Sequence, residues 1–392
     1  MGLCLVLNAG SSSIKFQVLE PGADGTLRRL WRGTIEGLGT APRFSARDEA
    51  GDAAPGRAWD RAGLDHEHAT LFLLDWIAGH LAGRSLQAVG HRVVHGGSDF
   101  VEAVRVDDRV MARLEALVPL APLHQPHNLA PIRHIRAHAP ELPQIVAFDT
   151  AFHHGQPEVA RAFALPARIT EAGVRRYGFH GLSYAYVAGR LAEVAPEIAQ
   201  GRVVVAHLGS GASLCALRAG RSVASTMGFS ALDGLPMGTR SGSLDPAVIF
   251  HLIRAFGMTP DEAERMLYNE SGLLGVSGLS NDMRRLREAA PAHDGARRAI
   301  DLFVYRILRE VGSLTAALGG LDGLVFTAGI GENDAATRAA VIEGLGWAGF
   351  RLDPDAKAAG GPRLTRSGGP SAWVIATDEE CVIARETMRL AG

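Results

Sequence analysis

The stretch LCLVLNAGSSSIKFQVLE, residues 3–20, consists of an apolar run, a turn of small residues and a second apolar run. The stretch VVVAHLGSGASLCALRAG, residues 203–220, repeats this layout. Each predicts a β-hairpin, because apolar runs bounded by glycine and serine are typical of strands joined by a tight turn. Two hairpins of one layout indicate a duplicated domain, although hairpins with Gly/Ser turns are also common in unrelated proteins.

Further strands and helices follow around these hairpins. AVGHRVVHGG (88–97), PQIVAFDT (143–150) and DGLVFTAGIGEN (322–333) are apolar runs that end in polar or Gly-rich segments, the last in a loop. Residues 300–318 place apolar side chains at helical spacing before Gly319 and Gly320, and residues 71–81 predict a shorter helix. Residues 40–63 lack a long apolar run and predict a loop or exposed hairpin. The alternation of strands and helices predicts an α/β fold.

Composition excludes several classes of protein. The 392 residues suffice for two or three domains. A net charge of −2 provides no basic field for nucleic acid or an anionic membrane. Cys4, Cys215 and Cys381 form no CxxC pair, so we expect neither a disulfide framework nor a zinc site. We see no signal sequence and no apolar run long enough to span a membrane. These features predict a soluble cytoplasmic protein.

Several common motifs are absent or unsupported. The sequence contains no GxxxxGK[ST] and no GxSxG. GLGWAG (344–349) fits GxGxxG but follows a helix-like run, so a dinucleotide site is not indicated. The histidines show no metal-ligand spacing such as HExxH, which argues against a histidine-based metal site.

Three small-residue loops each follow a predicted strand: NAGSSSIK (8–15), HLGSGAS (207–213) and AGIGEN (328–333). Exposed backbone N–H groups and hydroxyls suit a phosphate, and Lys15 is one of only two lysines in the chain, the other being Lys357. Turn propensity alone explains any one of these loops. Together they favour a nucleotide.

Isolated charged residues add to this pattern. Arg92 and Arg240 lie among Gly and small polar residues, where a guanidinium can bind a carboxylate or phosphate, or form a surface ion pair. Asp149 ends a strand and can hold a metal, orient a nucleophile or cap a turn. Glu379 precedes a helix, where capping alone would explain it. His180, in RRYGFHG, suits a ligand contact or a packed histidine.

Nine strings resemble the motifs of the acetate kinase family in order, from residue 8 to residue 387: NAGSSSIK, HRVVHGG, PLAPLHQPHNL, AFDTAFH, RRYGFHG, HLGSGAS, TMGF…GLPMGTRSG, GIGEN and EECVIARET. The resemblance implies two duplicated ribonuclease-H-like (actin-like ATPase) domains with a nucleotide in the cleft between them. It places the domains at residues 1–150 and 151–380, with a helix at about 380–392 packing back on the first.

The resemblance also implies an activity, reversible Mg²⁺-dependent transfer of a phosphoryl group from ATP to acetate, giving acetyl phosphate and ADP. Mn²⁺ is an alternative metal, and a cytoplasmic homodimer is implied. Asn8 and Glu379 would hold the metal. Asp149 would orient a reactant or act as acid or base, and His180 and Arg240 would stabilise the transition state. Four residues would bind acetate: Arg92, Val94, Leu123 and His124.

The nucleotide would be bound by residues of four segments. They are Ser11, Ser13 and Lys15; His207, Leu208, Gly209, Ser210 and Gly211; Asp282, Met283 and Arg284; and Gly329, Ile330, Gly331, Glu332 and Asn333.

The chain departs from the family pattern at Gln125 and Ser210, where Asn is usual, at Ser243, where an acidic residue is common, and at Ala231, where Pro is common. Ser210 puts one nucleotide contact in doubt. Ala231 could widen the acyl pocket, so propionate or another short-chain acid is an alternative substrate. The chain could also be a nucleotide-dependent switch of the actin or chaperone kind, or an inactive homologue. A nucleotide-dependent switch would not require Arg92, which argues against that alternative. The charged residues that the chain retains argue against an inactive homologue.

Overall fold

The computed structural model describes residues 2–22, 26–60, 64–359 and 362–392. The chain forms two compact units. Unit 1 comprises Met1–Phe152 and Asp378–Gly392, and unit 2 comprises His153–Thr377.

The strands in the described residues are, in chain order, β1 Leu3–Ala9, β2 Ser13–Pro21, β3 Leu27–Glu36, β4 Arg43–Asp48, β5 Arg57–Ala58, β6 Leu86–Val93, β7 Val104–Arg105, β8 Gln144–Phe148, β9 Arg202–Leu208, β10 Ala212–Arg218, β11 Arg221–Ser225, β12 Gly323–Thr327 and β13 Ser371–Val374.

The α-helices in the described residues are α1 His66–His80, α2 Asp108–Ala116, α3 Gln125–His138, α4 Glu158–Arg161, α5 Ala167–Glu171, α6 Gly181–Val194, α7 Pro246–Ala255, α8 Pro260–Asn269, α9 Gly272–Ser277, α10 Met283–Ala289, α11 Asp294–Leu318, α12 Ala328–Asn333, α13 Ala335–Gly344, α14 Pro354–Ala359 and α15 Glu379–Ala391. Short 3₁₀ helices lie at Val118–Leu120, Ala151–His153 and Gly346–Ala348.

The two sheets repeat one topology. The sheet of unit 1 has the order β5-β4-β3-β2-β1-β6-β8-β7, and that of unit 2 has the order β11-β10-β9-β12-β13. In each, a hairpin (β1–β2 or β9–β10) is extended by a third antiparallel strand, while two parallel strands follow on the other side. The α/β class and the duplication predicted from the two hairpins are therefore confirmed.

Most of the other predicted elements are also present. Helix α11 covers the predicted 300–318 segment and ends at Gly319, which adopts a left-handed conformation. The segment 40–63 contributes β4 and β5 to the first sheet, as expected of an exposed hairpin, and residues 61–63 lie outside the described residues. The prediction of a loop for AGIGEN is wrong, since these residues form the short helix α12.

Helix α15 packs against β1, β6 and β8 of unit 1. The approach is close at Gly90, where a Cβ atom would overlap Thr387 Oγ1 on the helix. Glycine therefore allows the helix to lie directly on β6, and the amino end of α15 reaches the ends of these strands.

Among the described residues, none of the helices combines the length and apolar character needed to cross a bilayer.

Candidate active site

Three neighbouring parallel strands of unit 1 carry polar residues at their carboxyl ends. Asn8 and Arg92 are each the last residue but one of their strands, β1 and β6, and Asp149 directly follows β8. Because β6 lies between β1 and β8, these side chains meet at one edge of the sheet, where open α/β sheets bind ligands.

Arg92 and Asp149 form a two-pronged ion pair. Arg92 Nε donates to Asp149 Oδ1 at 3.0 Å and Nη2 donates to Oδ2 at 2.5 Å, while Nη1 donates to Asn8 Oδ1 at 3.2 Å. Burial disfavours the charged guanidinium, but the attraction and hydrogen bonds of Asp149, together with the charges of Glu379 and Glu380, outweigh it and raise the pKa of Arg92. Asp149 is 1% exposed. These bonds use three of the five guanidinium N–H groups and leave two for a ligand.

Glu379, the first residue of α15, is the second carboxylate of this group. Burial, followed by repulsion from Asp149 and Glu380, raises the pKa of Glu379 to about 7 against the attraction of Arg92 and Lys15. A cation bound next to Glu379 would stabilise the ionised form of this carboxylate.

The predicted phosphate loop lies beside Asn8. Lys15 pairs with Asn8 across the β1–β2 hairpin, so both side chains project from the same face of the sheet. The turn that contains Ser11 and Ser13 is closed by a hydrogen bond from Gly10 N to Ser13 O of 2.8 Å.

The residues expected to contact the acyl group come from two segments of unit 1. Val94 directly follows β6 and is buried, whereas Leu123 and His124 directly precede α3. Leu123 is 42% exposed, which leaves its side chain accessible to a ligand.

In unit 2, His180 precedes α6 in a left-handed conformation with φ of 57°. Its Nδ1 atom lies 2.8 Å from Ser213 Oγ, and its ring stacks on that of His207 at a centroid distance of 4.1 Å. His207 Nδ1 in turn lies 2.8 Å from Ser183 Oγ. Both rings are thereby held in one orientation.

Arg240 and His180 approach each other at Gly211. A Cβ atom on Gly211 would lie 3.0 Å from Arg240 Nη2 and 3.1 Å from His180 Nε2, so a larger residue there would displace one of them. Arg240 Nη1 also donates to the Ala231 carbonyl at 2.7 Å. Two groups that can donate hydrogen bonds to an anion thus lie side by side.

A cavity of about 730 Å³ in unit 2 is lined by eight of the residues expected to bind nucleotide. They are Gly209, Ser210, Asp282, Met283, Arg284, Gly329, Ile330 and Asn333. The remaining predicted residues of these segments adjoin the lining residues along the chain but are not among them: His207, Leu208, Gly211, Gly331 and Glu332.

Sequence analysis missed four residues that line this cavity, Asn281, Arg287, Glu288 and Asp334. Helical spacing from Met283 and Arg284 along α10 could have identified Arg287 and Glu288. No local signal identifies Asp334, which caps α13 and accepts a hydrogen bond of 3.2 Å from Arg287 Nε.

Glu332 has contacts within the protein. Its Oε1 atom accepts hydrogen bonds from the backbone N–H groups of Ala328 at 2.8 Å and Thr377 at 3.1 Å. These bonds tie α12 to the segment that follows β13.

No group of three His, Cys, Asp or Glu side chains suited to a metal ion occurs in the part of the chain that the structure describes. Mg²⁺ is commonly bound by one or two carboxylates together with substrate phosphates and water. Asn8 and Glu379, next to Asp149, fit a site of this kind, in which few protein ligands are completed by phosphates and water.

Comparison with known proteins identifies the family. Residues 3–385 match the model of the acetokinase family. An acetate kinase of Rhodopseudomonas palustris is 54% identical over 99% of this chain and 98% of its own. A propionate kinase of Francisella tularensis superposes with a TM-score of 0.92 and 36% identity over the whole of both chains. The corresponding values for Porphyromonas gingivalis acetate kinase are 0.88 and 35%, again over both whole chains. The chain therefore belongs to the acetokinase family.

Proposed function

We propose that the protein is an acetate kinase, which transfers the γ-phosphoryl group of ATP to acetate and forms acetyl phosphate and ADP reversibly. The observation that carries this proposal is the Arg92–Asp149 pair. It presents an oriented guanidinium with two remaining N–H groups at the carboxyl edge of a parallel sheet, which suits a small carboxylate.

The acceptor needs orientation more than it needs a base. Acetate is ionised at neutral pH and can attack phosphorus without losing a proton. Arg92 would bind its carboxylate, while Asp149 would keep the guanidinium in place. Asp149 therefore acts as an orienting residue, and transfer requires an acetate oxygen in line with the bond to the leaving ADP oxygen.

The main obstacle to the reaction is charge, since two anions must meet. His180 and Arg240 can donate hydrogen bonds to the equatorial oxygens of the transferring group, where negative charge accumulates. The stacked His207 ring and Ser213 fix the position of His180, so this donor is oriented before the substrates bind.

ATP would occupy the unit 2 cavity bordered by α10 and α12. Its phosphates would contact the 209–211 turn, whose glycines permit close approach of the backbone. In unit 1, Ser11, Ser13 and Lys15 are the groups proposed to bind phosphate. Asn8 and Glu379 would hold Mg²⁺, which neutralises phosphate charge when bound. The raised pKa of Glu379 supports this, because a cation would favour its ionised form.

Propionate is the second candidate substrate. The observation that favours it is Ala231, which lies against Arg240 through its carbonyl and has only a methyl side chain. One methylene in an apolar pocket is worth about 10- to 200-fold in kcat/KM, so both acids can be turned over.

We also propose a homodimer in the cytoplasm. Helix α7 has no buried residue in the described structure, yet it presents Val248 and Phe250, and Phe256 follows it, 70% exposed. Apolar surface of this kind commonly marks an interface, and a second copy would cover it. Free buried thiols at Cys4 and Cys215 support a reducing compartment.

The dimer is tested by the mass in solution. Light scattering should give twice the chain mass for the unaltered protein and the mass of one chain for Phe250→Glu. Val159→Glu, at another exposed apolar position, should remain dimeric. A monomeric unaltered protein would contradict the proposal.

The catalytic proposal is tested by trapping acyl phosphate as the hydroxamate, with ATP and Mg²⁺ and with acetate, propionate or butyrate. We expect product with acetate and a kcat/KM that falls as the acid lengthens. Folded protein that binds ATP but forms no hydroxamate with any acid would instead favour a nucleotide switch or an inactive homologue.

A further inference from the structure

The segment that follows β6 is held in place by side chains. Four consecutive backbone N–H groups, beyond the end of the strand pairing, each donate to a side-chain acceptor. The bonds are Val94 N to Asn128 Oδ1 (2.9 Å), His95 N to Gln125 Oε1 (3.3 Å), Gly96 N to Thr150 Oγ1 (3.0 Å) and Gly97 N to His95 Nδ1 (2.9 Å).

Gln125 makes the most specific of these contacts. It is 0% exposed. Its Oε1 atom accepts from His95 N, and its Nε2 atom donates to His95 O at 3.1 Å and to Leu114 O at 3.4 Å. The amide thus bonds to both backbone groups of one residue, as a neighbouring strand would.

These bonds join the two segments that would contact the acyl group. Gln125 is the next residue after Leu123 and His124, and His95 is the next residue after Val94. The length of the Gln125 side chain therefore sets the separation between Val94 on one side and Leu123 and His124 on the other. Asn128, one helical turn further along α3, holds Val94 itself.

We propose that Gln125 is a positioning residue that determines the width of the acyl pocket, and hence the preference between acetate and propionate. This inference rests on the proposed function, because it takes Val94, Leu123 and His124 as the residues that contact the acyl group. Gln125 itself need not touch the substrate. It acts through the backbone of His95.

The geometry predicts opposite effects for two substitutions. Gln125→Asn shortens the side chain by one C–C bond, about 1.5 Å, so keeping the amide bonds to His95 draws the two segments together and narrows the pocket. Gln125→Met keeps the length of the side chain but removes both bonds to His95 and the bond to Leu114, so the two segments can separate. A purely structural role would lower kcat/KM for both acids by the same factor.

The experiment measures kcat/KM for acetate and for propionate in each variant and compares the propionate-to-acetate ratio. We expect the ratio to fall by about tenfold in Gln125→Asn and to rise in Gln125→Met, since one methylene in an apolar pocket is worth at least that factor. Gln144→Asn is the matched control. Gln144 is also buried and bonds to His91 Nε2 and Ile132 O, so its shortening should leave the ratio within about twofold of the unaltered protein.

A ratio unchanged in both Gln125 variants, or an equal change in Gln144→Asn, would overturn the inference while leaving the kinase activity established. If Gln125→Asn does not fold, Gln125→Met alone decides the test: a rise in its propionate-to-acetate ratio supports the inference, and an unchanged or lower ratio overturns it. An unaltered protein that forms no acyl phosphate would overturn the proposed function, and this inference with it.

Discussion

Arg92 and Asp149 are 57 residues apart in the chain, and adjacent parallel strands bring them together. Each can be selected from sequence as a charged residue at a strand end. Their pairing follows from the register of β6 against β8, which no local pattern specifies. The same holds for Glu379, whose place beside them depends on α15 lying across the sheet.

Replacing Asp149 by Asn should weaken acetate binding. An amide accepts only one of the two hydrogen bonds and turns an NH₂ group toward the guanidinium. Loss of one charge-assisted bond predicts a rise in KM for acetate of about 10- to 100-fold, with KM for ATP changed little. Initial rates at varied acetate test this. Asp99→Asn, which breaks an exposed ion pair with Arg113, is the control. An unchanged KM for acetate in Asp149→Asn would contradict the proposal that Asp149 orients Arg92.

The role of Arg240 gives a second prediction for a single residue. Its proposed role is to stabilise charge that develops only in the transition state, so Arg240→Ala should lower kcat by about 10²–10³-fold and leave KM for ATP nearly constant. Steady-state kinetics measure both constants. Arg265→Ala removes an exposed arginine of α8 and should retain full activity. Near-normal turnover in folded Arg240→Ala would reject the role.

At the scale of elements, the position of α15 depends on a glycine. Gly90→Ala brings a Cβ atom into Thr387 Oγ1, so the helix must shift away from β6. We expect a loss of about 2 kcal/mol in unfolding free energy and a higher Mg²⁺ concentration for half-maximal activity, because Glu379 moves with the helix.

Gly79→Ala provides the comparison for this prediction. Gly79 lies in α1, where a Cβ atom would have no neighbour within 4 Å. The unfolding free energy of the Gly79→Ala variant should therefore differ from that of the unaltered protein by less than about 1 kcal/mol. Urea unfolding and Mg²⁺ titration measure both effects. Equal stability and equal Mg²⁺ dependence in the two variants would show that the close contact at Gly90 is unimportant.

The elements that sequence predicts well are those with strong local patterns. The hairpins follow from apolar runs around small-residue turns, and α11 follows from its helical spacing and Gly319. Helix α12 could not be predicted in this way. Two of its six residues are glycine, and it is held by Glu332, whose carboxylate bonds to Thr377 at a distance of 45 residues along the chain. Its stability comes from tertiary contacts that override local propensity.

At the scale of the whole molecule, buried histidines make stability depend on pH. Burial lowers the pKa of His91, His95 and His153 to about 4 in each case. The unfolded chain, with a histidine pKa of about 6.5, therefore binds more protons than the folded chain between about pH 6.5 and 4. Stability is fully present above this window and is lost as the pH falls through it.

We expect each of these histidines to cost about 2 kcal/mol of stability between about pH 7.5 and pH 5. Glu379 has the opposite effect on stability. Because its pKa is raised in the folded protein, the folded state gains stability as the pH falls from 7. This gain offsets the loss of stability from only about one of the histidines. Urea unfolding of the unaltered protein and of His91→Gln at both pH values tests this. The substitution should reduce the pH dependence by about 2 kcal/mol, and a protein equally stable at both pH values would contradict the account.

The most direct test of the central claim follows the phosphoryl group itself. ³¹P NMR of the protein with ATP, Mg²⁺ and ¹⁸O-labelled acetate should show acetyl phosphate forming as ATP declines. Its phosphorus signal should carry the isotope shift of a bond to ¹⁸O, because an acetate oxygen attacks the γ-phosphorus. Only ATP and inorganic phosphate, with no signal that depends on acetate, would contradict the assignment of Arg92, His180 and Arg240 to phosphoryl transfer to a carboxylate.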